Sequence, residues 1–174
     1  MTDNRAVPSR ELSYDPVGAT DPASAAWQPG RHRFQATVVV GRGEECWTAS
    51  REAVLAWAVK VRSGFLVTGG PQTVRPGQDY ELTFRIGPIA IREPVRVVAV
   101  MDEPDRCGFA YGTRPGHPVA GEEAFIVHRD GRGVVRLTLR SLTMPASGWR
   151  ALAFPVFVVA QRAFRHRYLR ALNS

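Results

Sequence analysis

The stretch CGFAYGTRPGHPVAGEEAFIV, residues 107–127, joins two strand-like runs through a turn rich in glycine and proline. On the first run Phe109, Tyr111 and Thr113 share one face, and the opposite face reads glycine, alanine, glycine. Such a small face leaves space for a closely approaching backbone or helix, for a bend of the sheet, or for a ligand. The stretch therefore predicts a constrained connection within a sheet.

The runs around this stretch alternate between apolar and polar residues. In DYELTFRI, residues 79–86, the apolar side chains occupy every second position, which is typical of a half-buried strand. The tight turn HRDGRG, residues 128–133, indicates a hairpin because its glycines adopt positive φ at little cost. Further strands are predicted at Phe34–Val40, Ile89–Met101 with a break at Pro94, Cys107–Thr113, Ala124–His128 and Val134–Arg140.

Two segments switch to helical spacing. The first follows the earliest strand, has Thr48 or Ser50 as a possible cap, and ends before Ser63. The second, roughly Pro155–Asn173, is long and carries an apolar stripe that needs a large partner surface. We expect an α+β fold in which a curved antiparallel sheet wraps around the long C-terminal helix, with the shorter helix closing one end.

Length and composition fit one domain. The 174 residues are 44% hydrophobic, enough to bury a core without disulfides or a metal. Residues 1–11 are predicted to form a flexible tail, and residues 12–174 a single domain. The net charge is +7, and all of the 23 basic residues except Lys60 are arginines. We interpret them as a solvated surface and do not expect nucleic acid as a partner, although a basic adaptor for anionic partners remains an alternative.

Several site classes lack their sequence patterns. The two cysteines and four histidines show no metal-ligand spacing, so we expect no metal and no cofactor. GRGEEC, residues 41–46, has a cysteine where a dinucleotide loop needs its third glycine. The sequence shows no run typical of a signal peptide, and its apolar stretches are far shorter than the ~20 residues that a membrane-spanning helix needs. We therefore expect a cytoplasmic protein without a transmembrane segment. The oligomeric state stays open.

Four segments together resemble a known family. They are YDPVGAT, VVVGRGEECWTASREAVLAW, GFAYGTRPGHPVAGEEAF and FPVFVVAQRAFRHRYLRAL, and they are similar to the uncharacterised DUF1990 family of bacteria and plants over about residues 12–172. The resemblance implies the helix-grip fold of birch-pollen-allergen-like and START lipid-transfer domains. Most members of that superfamily hold small apolar molecules between sheet and C-terminal helix, and some are cyclases, hydrolases or dehydratases, which is only a fold-level analogy. The family resemblance also implies that Tyr14–Thr20 belongs to the domain.

The turn within residues 107–127 contains the best candidate site. The His117 imidazole suits acid–base work near neutral pH, and Glu122 and Glu123 point to opposite faces if they lie on a strand. The inward glutamate would pair with His117, Arg114 or Tyr111. Alternatively, His117 and one glutamate only fix the loop through backbone hydrogen bonds. The candidate ligand-binding residues are Tyr111, Thr113, Arg114, His117, Glu122, Glu123, Phe164 and Tyr168.

These observations leave two main hypotheses. The first is a helix-grip protein that binds a small, mainly apolar molecule in a cavity between the sheet and the C-terminal helix. The second is an enzyme that acts on a small metabolite, with His117 and Glu123 as acid and base. The third is the basic adaptor, which would use Arg162, Arg165, His166 and Arg170 on the C-terminal helix to bind anionic partners.

Overall fold

The computed structural model describes residues 12–23, 32–146 and 154–173, so the predicted tail of residues 1–11 lies outside the described residues. Seven strands and three helices follow one another in these parts of the chain. They are β1 (Arg33–Arg42), α1 (Glu44–Leu55), α2 (Ala58–Arg62), β2 (Leu66–Thr68), β3 (Asp79–Ile86), β4 (Ile89–Glu103), β5 (Arg106–Thr113), β6 (Val119–Arg129), β7 (Val134–Pro145) and α3 (Phe154–Arg170).

The strands form one antiparallel sheet in the order β1-β7-β6-β5-β4-β3-β2. Strands β2 to β7 are neighbours in sequence and in space, whereas β1 closes the far edge by pairing with β7. Helix α3 contacts β7 and β1 and meets α2 across the inner face. The predicted α+β fold, a curved antiparallel sheet around a long C-terminal helix, is confirmed.

The first helical segment differs from the prediction. Helix α1 begins at Glu44, earlier than Thr48 or Ser50, because Gly43 turns the chain with φ 91° directly after β1. Glu44 and Glu45 then stand in the first turn, where the helix dipole favours negative charge. The segment is also interrupted, since Trp57 adopts φ 61° and separates α1 from α2. Spacing alone did not reveal this break, because the apolar pattern continues across it.

The predicted break at Pro94 does not occur. Strand β4 runs through it, and its register shift lies between Val97 and Ala99 instead. The carbonyl of Pro94 accepts a hydrogen bond from Arg114, the residue after β5. In an antiparallel strand the N–H and C=O of one residue point to the same side, so the missing N–H of Pro94 falls beyond the end of β5. The ladder to β3 therefore loses no hydrogen bond.

The inner face of the sheet carries the main core. Its aromatic centre is Trp57, which is 2% exposed and packs with ring-centroid distances of 4.6 Å to Phe109, 4.9 Å to Tyr80 and 5.4 Å to Tyr111. These close ring contacts stabilise the left-handed backbone at Trp57 by burying its whole side chain. The break between the helices thus fixes the direction in which α2 enters the core.

The outer face of the sheet holds the N-terminal segment, residues 12–23. The Glu122 carboxylate, 2% exposed, accepts hydrogen bonds from Tyr14 Oη (2.6 Å), from the backbone N–H of Gly18 (2.8 Å), and from the N–H (2.6 Å) and the hydroxyl of Thr20. A Cβ on Gly112 would lie 2.3 Å from Tyr14 Oη, so the small face of β5 makes room for this segment. Burial and the Glu122 charge raise the pKa of Tyr14.

Candidate functional site

A pocket of about 110 Å³ lies between the inner face of the sheet and α3, and we call it the central pocket. Most of its wall is apolar. The apolar lining comes from Phe65, Phe84, Ile86, Ile91, Ala160 and Phe164, and the ionisable lining from Lys60, Glu93, Tyr111, His117, Glu123 and Tyr168. Ile86 is 59% exposed, so the pocket meets solvent at the end of β3. The pocket is therefore mainly apolar and contains a group of ionisable side chains.

Lys60 stands at the centre of the ionisable group. It is 3% exposed, and its Nζ lies 3.0 Å from Glu123 Oε2 and donates to Tyr168 Oη at 2.7 Å. The same ammonium lies over the rings of Phe65 and Tyr168, with centroids at 4.6 Å and 4.5 Å. A buried cation is stable only when paired, and here both a carboxylate and ring faces hold it. Helix α2 brings it inward because the chain turns at Trp57.

Glu123 and Tyr111 are direct cross-strand partners on β6 and β5. The Tyr111 hydroxyl donates to Glu123 Oε2, the same oxygen that faces Lys60. Burial, followed by the charge of Glu123, raises the pKa values of both Tyr111 and Tyr168 well above the usual range. Both tyrosines therefore remain protonated, and their hydroxyls act as hydrogen-bonding groups.

Glu93 on β4 faces the pocket from the other side. Its side chain is 18% exposed, and the one basic side-chain nitrogen within 4 Å of its carboxylate, among the described residues, is His117 Nε2 at 3.8 Å, too far for a hydrogen bond. Burial raises the pKa of Glu93 to about 7, and the negative charge of Glu123 adds to this, while Lys60 opposes it. This carboxyl group therefore changes its charge near neutral pH.

His117 is 8% exposed and lies in the turn before β6. Its Nδ1 accepts a hydrogen bond from the Val119 N–H at 3.1 Å, so the proton of the neutral ring is on Nε2, toward Glu93. Burial, together with the positive charge of Lys60, lowers the pKa of His117 to about 3. At neutral pH the imidazole is therefore uncharged and fixes the turn through the backbone.

The predicted site residues separate into groups. Tyr111, Thr113, His117, Glu123, Phe164 and Tyr168 all line the central pocket. The Glu122 residue borders it too, but its carboxylate is bound to the N-terminal segment on the other face. Arg114 points away and pairs with Asp79 at 2.8 Å. Of the inward partners considered for the glutamate, Tyr111 is the one that bonds to Glu123.

Sequence reasoning missed two ionisable groups of the pocket, Lys60 and Glu93. Lys60 did carry a signal, since it is the single lysine among 23 basic residues and lies on a predicted helix. Glu93 carried none, because a glutamate beside a proline at an expected strand break indicates an exposed turn. Both become visible only when the sheet brings β4 and α2 together around Glu123.

One residue of the predicted basic surface on α3 turns inward. Arg162, His166 and Arg170 are exposed, whereas Arg165 turns toward the sheet. Its guanidinium lies 3.8 Å from the ring centroid of Phe34 and donates to Ser141 Oγ at 3.1 Å. The basic-adaptor hypothesis stays a prediction.

The described residues contain neither a metal-binding cluster nor a membrane-spanning helix. Within residues 12–23, 32–146 and 154–173 there is no group of three or more His, Cys, Asp or Glu side chains arranged to hold a metal ion. None of the helices in the same parts of the chain combines the length and the apolar character of a membrane-spanning segment.

Sequence comparison finds relatives that match most of the chain. Residues 13–171 match the profile of a family described as a domain of unknown function, DUF1990. A UPF0548 protein of Deinococcus radiodurans is 35% identical over 173 residues, covering 92% of this chain and 85% of that protein. A UPF0548 protein of Arabidopsis thaliana is 29% identical over 139 residues, covering 75% and 67%.

Solved structures resemble this chain in fold. A hypothetical protein of Helicobacter pylori aligns with a TM-score of 0.60 at 8% identity, covering 80% of this chain and 84% of that one. A norcoclaurine synthase point mutant of Thalictrum flavum, solved with a transition-state analogue, gives 0.51 at 12% identity, covering 80% and 92%. Identities this low speak for the helix-grip architecture alone.

Proposed function

The chain belongs to the DUF1990 family, and we propose that it binds a small molecule with a mainly apolar body in the central pocket, between the sheet and α3. The observation that carries the proposal is the composition of the wall, which is mainly apolar and also contains the buried ionisable residues Lys60, Glu93 and Glu123. Binding pockets commonly combine an apolar lining with a few convergent polar groups.

The size of the pocket limits the ligand. A cavity needs a volume of roughly 10–15 Å³ to hold one water molecule, and an engineered apolar cavity of about 150 Å³ holds benzene. The central pocket, at about 110 Å³, therefore suits a single ring or a short branched chain. Its open end at Ile86 leaves room for a larger ligand to extend toward solvent.

Stability alone does not explain why ionisable side chains are buried in the pocket wall. Buried ion pairs such as Lys60–Glu123 can often be replaced by apolar residues with little loss of stability. Glu93 adds a second buried carboxyl, although the described residues donate no hydrogen bond to it. Strongly perturbed ionisable groups in a cleft are typical of functional sites. A ligand with one polar end would account for them.

Filling the pocket tests the proposal. Ala160 on α3 lines the pocket, and Ala163 on the same helix is exposed, so Ala160→Phe and Ala163→Phe place the same side chain inside and outside. Benzyl alcohol is a suitable probe because it is one ring with one polar group. Ligand-observed NMR should detect binding to the wild type and to Ala163→Phe, and no binding to Ala160→Phe.

Native mass spectrometry of the purified protein complements this test. A released adduct that the wild type carries and Ala160→Phe lacks would identify the ligand class directly. Equal probe binding by both variants would place the binding elsewhere and overturn the proposal, provided that melting curves show both variants to be folded.

A second candidate is acid–base catalysis on a bound metabolite. The observation that favours it is the pKa of Glu93, about 7, in a pocket that also contains His117 and Glu123. A general acid or base is most effective when its pKa is near the working pH. With any substrate identified from the adduct, Glu93→Gln should abolish turnover while binding persists, and unchanged turnover would exclude Glu93 from the chemistry.

A further inference from the structure

Several ionisable groups of the central pocket form hydrogen bonds and an ion pair with one another. Lys60 gives hydrogen bonds or ion-pair contacts to Glu123 and Tyr168, and the Tyr111 hydroxyl donates to Glu123. These contacts with Glu123 converge on one oxygen, Oε2, and leave Oε1 of this 8% exposed residue at the pocket. Glu93 accepts no hydrogen bond from the described residues. Apart from the His117 Nε2–H, which lies 3.8 Å from Glu93, the ionisable groups thus leave carboxylate oxygens of Glu93 and Glu123 that accept no hydrogen bond from the described residues.

We propose that the ligand held in the central pocket carries a primary amine, whose ammonium group binds between Glu93 and Oε1 of Glu123. This inference rests on the proposed binding function and specifies its ligand class. An ammonium group brings three N–H donors and one positive charge, whereas a carboxylate ligand would place a third carboxylate beside Glu93 and Glu123.

The charges around Glu93 agree with this assignment. Facing it are Lys60 from α2, Glu123 from β6, His117 from the turn before β6, Tyr111 from β5 and Tyr168 from α3. The histidine and both tyrosines are uncharged at neutral pH, for the reasons given above. The charge of Lys60 is matched by Glu123 at 3.0 Å. Ionised Glu93 therefore has no lysine or arginine within 4 Å among the described residues, whereas Glu123 is paired with Lys60.

The remaining nearby cation does not neutralise Glu93. Arg165 lies over Phe34 and donates to Ser141 and Gln161, and it is not part of the pocket wall. The aromatic rings at the pocket add a second attraction, because ring faces attract ammonium groups. Phe84 and Phe164, whose centroids are 4.7 Å apart at 88°, border the space in which the apolar body of the ligand would lie.

Three probes of equal size test the inference on the full chain. Benzylamine, benzyl alcohol and benzoate share one ring and differ in the charge of the polar end. We expect benzylamine to bind about tenfold more tightly than benzyl alcohol, and benzoate to bind most weakly, since a charge-assisted hydrogen bond adds roughly this factor. Calorimetry or ligand-observed NMR at about pH 8 measures this order, because an amine keeps its proton up to ~10.

Removing the charge of Glu93, by substitution or by lowering the pH, tests its role in amine binding. Glu93→Gln should reduce the affinity for benzylamine about tenfold more than the affinity for benzyl alcohol. Glu81→Gln, an exposed carboxylate on the neighbouring strand, should change neither. Benzylamine should also bind about tenfold more weakly at about pH 5.5 than at about pH 8, because Glu93 is protonated there, and Glu93→Gln should remove this pH dependence.

The outcomes separate the two proposals. If benzyl alcohol binds but benzylamine shows no preference, or if benzoate binds as tightly, the amine assignment is wrong and the pocket function stands. If none of the three probes binds the wild type while the protein is folded, the proposed function itself fails.

Discussion

Replacement of Glu122 by glutamine tests how the N-terminal segment is held. The carboxylate of Glu122 is 2% exposed and serves four donors: Oε2 accepts from Tyr14 Oη and the Gly18 N–H, and Oε1 accepts from the N–H and hydroxyl of Thr20. A glutamine has the same shape but replaces one acceptor oxygen by an NH₂ group. Whichever way the amide turns, two of the four donors face that NH₂ group.

The expected loss follows from the kinds of donor on each side. A hydroxyl can rotate and accept from the NH₂ group, but a backbone N–H cannot, so one N–H, of Gly18 or Thr20, loses its acceptor. An orphaned N–H costs about 1–3 kcal/mol, and the remaining hydrogen bonds lose their charge assistance, which adds about 1 kcal/mol. We therefore expect Glu122→Gln to reduce the free energy of unfolding by about 2–4 kcal/mol.

Urea denaturation measures this change, and amide hydrogen exchange locates it. If the segment detaches locally, exchange should rise first at the Ser13 N–H, which bonds the Thr113 carbonyl at 2.9 Å. Glu103→Gln, on an exposed residue of β4, is the control and should leave stability unchanged. A loss below about 0.5 kcal/mol for Glu122→Gln, with normal exchange in the segment, would refute this account of the carboxylate.

Three more changes address the ionisable groups of the pocket. Lys60→Met should cost about 3–5 kcal/mol in urea denaturation because Glu123 is left as an unpaired buried charge, and adding Glu123→Gln should recover part of that loss. The pKa of Glu93 is raised from 4.5 to about 7, so the folded state keeps a proton that the unfolded state releases, and stability should fall from about pH 4.5 to 7. Glu93→Gln should therefore be more stable than the wild type by about 3 kcal/mol above pH 7 and equal to it at low pH. The pKa of His117 is lowered from 6.5 to about 3, so stability should fall as the pH decreases through that interval, and His117→Asn, which can still accept from the Val119 N–H, should flatten this decline.

The sequence predicts the sheet better than the helices. Alternation places β3 at residues 79–86, as observed, because each of its side chains faces either the core or the outside. The turn at residues 130–133 follows from its glycines and aspartate. The interruption at Trp57 was not predictable, since its left-handed backbone depends on ring contacts with residues 23 to 54 positions farther along the chain. Local propensity contains no information about such contacts.

Strand alternation also predicts part of the candidate site. Glu122 and Glu123 must point to opposite faces of a strand, and the register brings Tyr111 opposite Glu123. The sequence does not tell which of Glu122 and Glu123 faces the core, because their orientation depends on the register of the whole sheet. Lys60 and Glu93 reach the pocket from other elements, and Arg114 leaves it for Asp79, so these positions required the tertiary structure.

The pairing of β1 with β7 has a consequence during synthesis of the chain. Arg33 pairs with Leu142 and Ser13 with Thr113, so the early segments find their partners only after about 100 further residues have been made. At ~5–20 residues per second the ribosome needs roughly 5–20 s for this interval. The hairpins from β3 to β7 can form meanwhile, since each pairs with its neighbour. The apolar TVVV run of β1, residues 37–40, stays unpaired throughout this interval, and we expect it to be the early segment most in need of a chaperone before the chain is released.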